Sequence, residues 1–358
     1  MKLAIVGIRG LPNTYGGFET LTEYLVKYLP DEIEITVFCS SIDMKSTMTI
    51  YYGAQLRYIP ITSHGPLGIL YDNLALYKSI KKFDKILLLG FGGGLLIPFL
   101  GRNKKKVIVN IGGLDWKRDK WSSLGKIIIK YFEKLLLKNA GTLISDNLLI
   151  KQYILETYSK ESQLIAYGGD QSIPLKVTHK LEAEYPFLSH PYALAVARIQ
   201  VDNQIILMLD TFKKYKKKKF ILIGNFNDSD FGKKVWKEYH QIKNLVLLEA
   251  IYDRNVLDVI RSNCTFYVHA HSAGGTNPAL VEAMHLGLPI FAFANGYNEN
   301  TTANKALYFK NDAQLFSLIE NEENLDLLTI GNALKNIAKS NYCWRDIAEK
   351  YKNIILHV

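Results

Sequence analysis

Val268-His269-Ala270-His271-Ser272-Ala273-Gly274-Gly275-Thr276-Asn277-Pro278-Ala279-Leu280-Val281-Glu282-Ala283-Met284 is the stretch on which the reading of this chain turns. A strand-like run ends near its start, a Gly-Gly loop follows, and Asn277 before Pro278 forms an N-cap and first-turn pair that opens a helix. Strand, glycine loop and capped helix in that order belong to a parallel sheet covered by helices, whose ligands sit outside the carboxyl ends of the strands. Amides of the loop and of the first helical turn suit a diphosphate or a sugar hydroxyl. Glu282, just over one turn in, is where a carboxylate can accept two vicinal ribose hydroxyls. The plainer alternative is a well-capped helix with a solvent-facing Glu.

The same alternation runs outward from this segment. Strands are expected near 191–197, 219–224, 244–248, 264–269 and 288–293, with helices near 203–215, 253–262, 277–286 and 325–339. An earlier series has strands near 2–8, 33–39, 55–60, 85–90, 106–111, 141–145 and 162–166, and helices near 17–29, 67–82, 121–139 and 146–157. The 358 residues thus read as two α/β domains, residues 1–170 and 171–340, joined by a turn-rich linker at 168–176. The segment 341–358 reads as an amphipathic helix packing back on the first domain. Two such sheets facing each other would leave a cleft between their strand ends.

Composition narrows the class. With 48% apolar and 22% charged residues the chain is that of a folded domain, not a disordered one. The net charge of +10 is concentrated in residues 1–170, which hold 22 Lys/Arg against 15 Asp/Glu. Such an excess attracts nucleic acid, anionic lipid or phosphorylated substrates alike. Cys39, Cys264 and Cys343 show no CxxC spacing and read as thiols of a reducing cytoplasm. No secretion signal precedes the Lys2–Gly7 run, and the apolar stretches are too short or too interrupted to span a bilayer.

Three further strand ends carry chemistry. Arg198 follows the run Ala193–Ala197, where a permanent cation can neutralise a leaving diphosphate; a structural salt bridge is the alternative. Leu3–Gly7 runs into Ile8-Arg9-Gly10-Leu11-Pro12-Asn13-Thr14-Tyr15-Gly16-Gly17-Phe18-Glu19-Thr20, whose glycines bring backbone and a helix start near Gly17 up to a ligand. A nicotinamide site is a weaker rival, because the GxGxxG spacing and the acid ending the second strand are missing. Ile108–Ile111 leads to Gly112-Gly113-Leu114-Asp115-Trp116-Lys117-Arg118, an acid beside glycines with a flat ring for sugars; Asp115 equally suits a helix cap.

Taken together, GIRGLPNTYGGFET, IGGLDWKRDKW, SDNLLIKQYI, YGGD, ARIQVDNQI, HSAGGTNPALVEAM and CWRDIAEKY resemble the GT-B-fold retaining glycosyltransferase family 4, in particular its bacterial rhamnosyltransferase-like branch of surface polysaccharide assembly. The resemblance implies two Rossmann-like doubly wound domains and a metal-independent, cofactor-free, retaining transfer from a nucleotide-diphosphate sugar to a glycan acceptor. Arg198 would lie on the diphosphate, Glu282 on the ribose, and Asp115 would position the acceptor or act as base. The donor-binding set it implies is Gly16, Gly17, Arg198, Asn203, Tyr252, Gly274, Gly275, Thr276, Asn277 and Glu282. The acceptor-binding set is Tyr15, Glu19, Trp116, Lys117 and Arg118. Two positions depart from the family pattern: Asn203 stands where many members carry a phosphate-binding Lys, and Gly274 where the first Glu of a Glu pair is usual.

Lys126, Lys130, Lys134 and Lys138 recur every four residues beside Ile127, Ile128, Tyr131, Phe132, Leu135 and Leu136, and Arg102 and Lys104–Lys106 lie nearby in sequence. This pattern suits either peripheral contact with an anionic membrane, for a lipid-linked acceptor, or a core helix with a solvated lysine face. A nucleotide-sugar epimerase of the same fold and a non-enzymatic glycan-binding module remain alternatives. Nucleic-acid binding is disfavoured because the motifs sit at strand ends and form no single basic stripe. Glu282→Ala is expected to abolish transfer with the melting temperature nearly unchanged.

Overall fold

The computed structural model describes residues 1–13, 16–45, 48–118 and 122–357. They form two compact units. One holds the chain up to Tyr167 together with the C-terminal helix; the other holds Gly168–Cys343 and takes in Arg118.

In the first unit the elements are β1 (Lys2–Val6), α1 (Gly17–Tyr28), β2 (Glu34–Ser40), β3 (Ile50–Tyr51), β4 (Ala54–Ile59), α2 (Gly65–Ser79), β5 (Lys85–Leu89), β6 (Val107–Ile111), α3 (Ser123–Asn139), β7 (Thr142–Ser145), α4 (Leu148–Tyr158) and β8 (Gln163–Leu164). The sheet runs β3-β4-β2-β1-β5-β6-β7-β8 and is parallel except for the short β3–β4 pair. Chain order therefore reverses between β1 and β5, and loops leaving both strands meet there. Gly7 permits that meeting: at φ 99°, a Cβ would lie 2.1 Å from the Leu89 carbonyl oxygen.

The second unit has α5 (His179–Glu184), β9 (Tyr192–Val196), α6 (Ile205–Lys214), β10 (Lys219–Ile223), α7 (Asp230–Tyr239), β11 (Leu245–Leu248), α8 (Arg254–Ser262), β12 (Phe266–His269), α9 (Pro278–Leu286), β13 (Ile290–Phe293), α10 (Tyr297–Thr301), β14 (Leu307–Phe309), α11 (Asp312–Glu320) and α12 (Leu327–Asn341). Its all-parallel sheet runs β11-β10-β9-β12-β13-β14, so the order reverses between β9 and β12. The strands read as continuous apolar runs because helices cover both faces, and Phe212, Phe220, Phe266 and Phe291 stack through the middle of the core.

The last helix, α13 (Trp344–His357), belongs to the first unit. Trp344, Ile347, Tyr351 and Ile355 are buried in its core, and Trp344 stacks on Tyr24 of α1 with centroids 4.6 Å apart. The principal differences from expectation are short elements. The strand expected at 162–166 is only Gln163–Leu164, while β3, β14, α5, α7, α10 and α11 were not anticipated. Two 3-10 stretches, Gly92–Leu95 and Ile97–Lys106, also lie where no element was expected. No helix among the described residues is long and apolar enough to cross a membrane.

Candidate functional site

At the reversal point of the second sheet, the loops leaving β9 and β12 are stitched together. Ser272 donates through both its backbone N–H and its hydroxyl to the Asp202 carbonyl, at 2.8 and 2.9 Å. Asn203 donates through Nδ2 to the Arg198 carbonyl at 2.7 Å, and its Oδ1 lies 2.6 Å from His271 Nδ1. Asn295 and Asn298 both donate to the His271 carbonyl. Gly224, at the end of β10, keeps clear the path of the first loop: a Cβ there would lie 2.2 Å from the Ala197 carbonyl oxygen.

This frame leaves a cation exposed and a set of loop amides without protein acceptors among the described residues. Arg198 is exposed just past β9. On the other side of the reversal point, Asn277 caps α9 by accepting from Ala279 N–H at 3.0 Å. Leu280 and Val281 donate to the Asn277 carbonyl, and Pro278 has no N–H. The first-turn amides expected to meet a ligand are therefore already bonded. Among the described residues, it is the N–H groups of Gly274, Gly275 and Asn277 in the preceding loop that have no protein acceptor. Together with the positive end of the helix dipole they have the chemistry to hold an anion. Gly274 holds the loop open at φ 109°, and Thr276 is buried beneath it.

Glu282 is held from two sides. Its Oε1 accepts from Gln171 at 2.6 Å and its Oε2 pairs with Arg261 at 2.7 Å. Arg261 in turn lies 3.8 Å from Asp258, whose carboxyl is pushed up by burial against the pull of that guanidinium. Gly169 brings the incoming chain onto α9; a Cβ there would come within 2.7 Å of the Val281 backbone. The glycines read as a linker thus support the helix. The expected neutrality of Glu282→Ala toward stability is corrected by these contacts, because the substitution strips a buried guanidinium of its nearest carboxylate and costs about 1–3 kcal/mol. Glu282→Gln keeps the shape and an acceptor oxygen.

Asn203 and Arg118 are braces, and neither offers the ligand contact expected of it. Asn203 is buried with both amide atoms bonded. The Arg118 guanidinium, also buried, donates to Asp202 at 2.7 Å and to Gln200 at 3.0 Å. Burial opposes the charge of Asp202, but the bonded Arg118 holds its carboxyl below the ordinary range. Tyr252 is 68% exposed beyond β11, its hydroxyl accepting from Asn225.

In the first unit, Gly16 and Gly17 begin α1, and among the described residues their N–H groups have no protein acceptor. Glu19 corrects expectation: it is buried and accepts from Arg9 N–H at 2.9 Å, pinning the loop after β1 instead of facing an acceptor. Trp116 is half-buried, with the Lys130 ammonium 4.2 Å from its ring centroid and the Tyr153 ring centroid at 6.3 Å. Asp115 and Lys117 lie on the short turn after β6, Asp115 half-buried and Lys117 exposed. Tyr15 lies outside the described residues. Asp170, His285 and Cys343 could hold a metal ion, their ligand atoms lying within 4.8 Å of one another. His285 is about 12 Å along α9 from the Asn277 cap.

Residues 1–170 match the family described as "Domain of unknown function (DUF1972)". No curated protein matches the chain at the level of sequence. Solved structures do match over its whole length. Sucrose-phosphate synthase from Thermosynechococcus elongatus aligns with 99% of this chain and 98% of its own at a TM-score of 0.81 and 16% identity. HepE from Anabaena in complex with UDP-glucose aligns over 100% of both chains at 0.78 and 15%. Trehalose-6-phosphate synthase OtsA aligns over 100% and 99% at 0.75 and 11%. With two Rossmann-like parallel-sheet domains in this order, the chain has the GT-B fold.

Proposed function

We propose that the protein transfers a hexosyl or deoxyhexosyl group from a nucleoside-diphosphate sugar to a glycan acceptor, with retention and without a metal. The observation that carries this is the pairing of exposed Arg198 with the acceptor-less amides of Gly274, Gly275 and Asn277 across one reversal point. A guanidinium and three N–H groups on the two sides of one reversal point are suited to the charge that a leaving pyrophosphate gathers. Glu282, held by Gln171 and Arg261, has lone pairs left for ribose hydroxyls, and the exposed ring of Tyr252 offers a face to the base. HepE with UDP-glucose shows that this fold accommodates such a donor.

In the reaction, the bond from the anomeric carbon to the phosphate oxygen breaks and the acceptor oxygen bonds to the same face of that carbon. The acceptor proton passes to the departing phosphate, so no side-chain nucleophile is needed. Asp115, on the turn after β6, is assigned to positioning the acceptor. Calorimetry with nucleoside diphosphates and product analysis with candidate sugar donors test the proposal. Binding of a diphosphate with transfer only when acceptor is present supports it, an altered sugar from donor alone makes the protein an epimerase, and absence of nucleotide binding rejects both. Undiminished turnover in chelator supports independence from metal.

A lipid-linked acceptor at the cytoplasmic face of the membrane is the reading we favour, with rhamnose as the sugar suggested by the family resemblance. On the first unit, α2 exposes Leu67 and Leu70, the 3-10 stretch after β5 exposes Phe99 at 83%, and α3 exposes Leu124, Ile127 and Tyr131. A core helix would have buried Ile127; it is 66% exposed beside Lys126 and Lys130. Apolar side chains among lysines suit an anionic bilayer surface. Flotation with vesicles containing or lacking anionic lipid tests this, and equal recovery with both rejects it.

A further inference from the structure

We propose that His271 reads the transferred sugar: its Nε2 accepts a hydrogen bond from a sugar hydroxyl in the space left open by glycine at position 274. The inference rests on the glycosyl-transfer reading above and names a contact within that site.

The tautomer follows from the hydrogen bonds. The Arg198 carbonyl can only accept, so the Asn203 atom 2.7 Å from it is the amide nitrogen, and Asn203 Oδ1 faces His271 Nδ1 at 2.6 Å. An acceptor oxygen there requires the proton on Nδ1. In a neutral ring Nε2 is then a bare lone pair. Burial holds the ring neutral, lowering its pKa to about 3; His269, Arg118 and Arg198 act in the same direction, and the Asp202 carboxylate opposes them without prevailing.

The lone pair is aimed and reachable. His271 is 8% exposed, and a Cβ on Gly274 would lie 3.0 Å from Nε2 with only the same imidazole ring otherwise within 4 Å. Among the described residues Nε2 has no hydrogen-bond partner. It also differs from His269 Nε2, which is sealed from solvent without one. The backbone of His271 is fixed by Asn295 and Asn298, so the ring cannot swing to find another partner without breaking the Asn203 bond. The site thus presents a neutral acceptor next to the unpartnered amides of the Gly274 loop. An imidazole lone pair accepts a hydroxyl proton without adding negative charge beside the loop amides.

The test has two arms. Donor analogues in which each sugar hydroxyl is replaced in turn by hydrogen are compared on the unmodified protein and on His271→Phe. One analogue is expected to lose about 10- to 100-fold in kcat/KM on the unmodified protein and nothing further on the variant, each protein being compared with its own value for the intact donor so that any loosening of the Asn203 brace cancels. In the second arm, the histidine ¹⁵N spectrum of the unmodified protein should show His271 protonated at Nδ1, with its Nε2 resonance shifting on binding sugar donor but not on binding nucleoside diphosphate alone. Equal loss with every analogue, or an Nε2 signal indifferent to the sugar, overturns the assignment even if His271→Phe fails to fold. Loss of nucleoside diphosphate binding by the unmodified protein would instead overturn the glycosyl-transfer reading itself.

Discussion

The two units solve the same topological problem and then treat the result differently. In each, strand order reverses beside the first strand, a glycine-bearing loop follows, and a helix points its amino end toward the reversal point. The first unit supplies its own anion there: α1 has no side-chain cap at Gly16, and the buried Glu19 carboxylate in its first turn reaches back to Arg9 N–H. The second unit caps α9 with neutral Asn277, withdraws Asn203 and His271 into mutual hydrogen bonds, and leaves amides and Arg198 without an anion. A helix amino end stays open to an anion only where the chain has not already filled it.

Arg198→Met should break the second half of that contrast most severely. A drop of about 100- to 1,000-fold in kcat/KM is expected with an unchanged melting temperature, since the side chain is exposed; kinetics and thermal denaturation measure both. Glu19→Ala attacks the first half. It should cost about 1–3 kcal/mol in denaturant titrations, because Arg9 N–H loses its acceptor, while nucleotide affinity stays as it was. Partial recovery of the melting temperature by inorganic phosphate in this variant would show that the emptied turn has become an anion site, and a variant as stable as its parent would refute the role of Glu19.

Acidification should separate the units more gently. Burial lowers His269 and His271 to about 3 from 6.5 and also lowers His285, all in the second unit, whereas His64 and His357 of the first are exposed. Unfolded histidines take up protons near 6.5 and folded His269 and His271 do not until far lower, so the contribution of these two is complete above that value and declines as pH falls toward 3; His285 acts in the same direction. The loss is about 1.4 kcal/mol per pH unit for each histidine, and hydrogen exchange should show the second unit opening first. The smallest effect is that of Asn277→Ala, about 1 kcal/mol for a lost cap, measured by thermal denaturation.

How much of this was legible depended on range along the chain. Long strands and helices, Arg198 past its strand and the Asn277-Pro278 cap are local patterns, and the sequence displays them openly. Short β3 and β14, of two and three residues, have too few positions for a period to emerge. The braces of the site were hidden for a different reason. Asn203 and His271 are 68 residues apart, and Gln171 and Glu282 are 111 apart. Nothing local distinguishes a polar residue that will be tied to a distant partner from one that will face a ligand, and Asn203, Arg118 and Glu19, whose motifs suggest ligand contact, are buried against protein partners. Gly224 and Gly274 carried a usable hint, each being a glycine just beyond a strand.

Because Trp344, Tyr351 and Ile355 fill the core around Tyr24 and Asn110, the first unit is discontinuous in the chain while the second is almost continuous. During synthesis, residues 1–167 therefore cannot close their interior until residues 344–357 have followed, and the intervening residues 168–343 are able to settle before that. A change that disturbs residues 344–357 would be felt in residues 1–167, nearly two hundred positions earlier in the polypeptide.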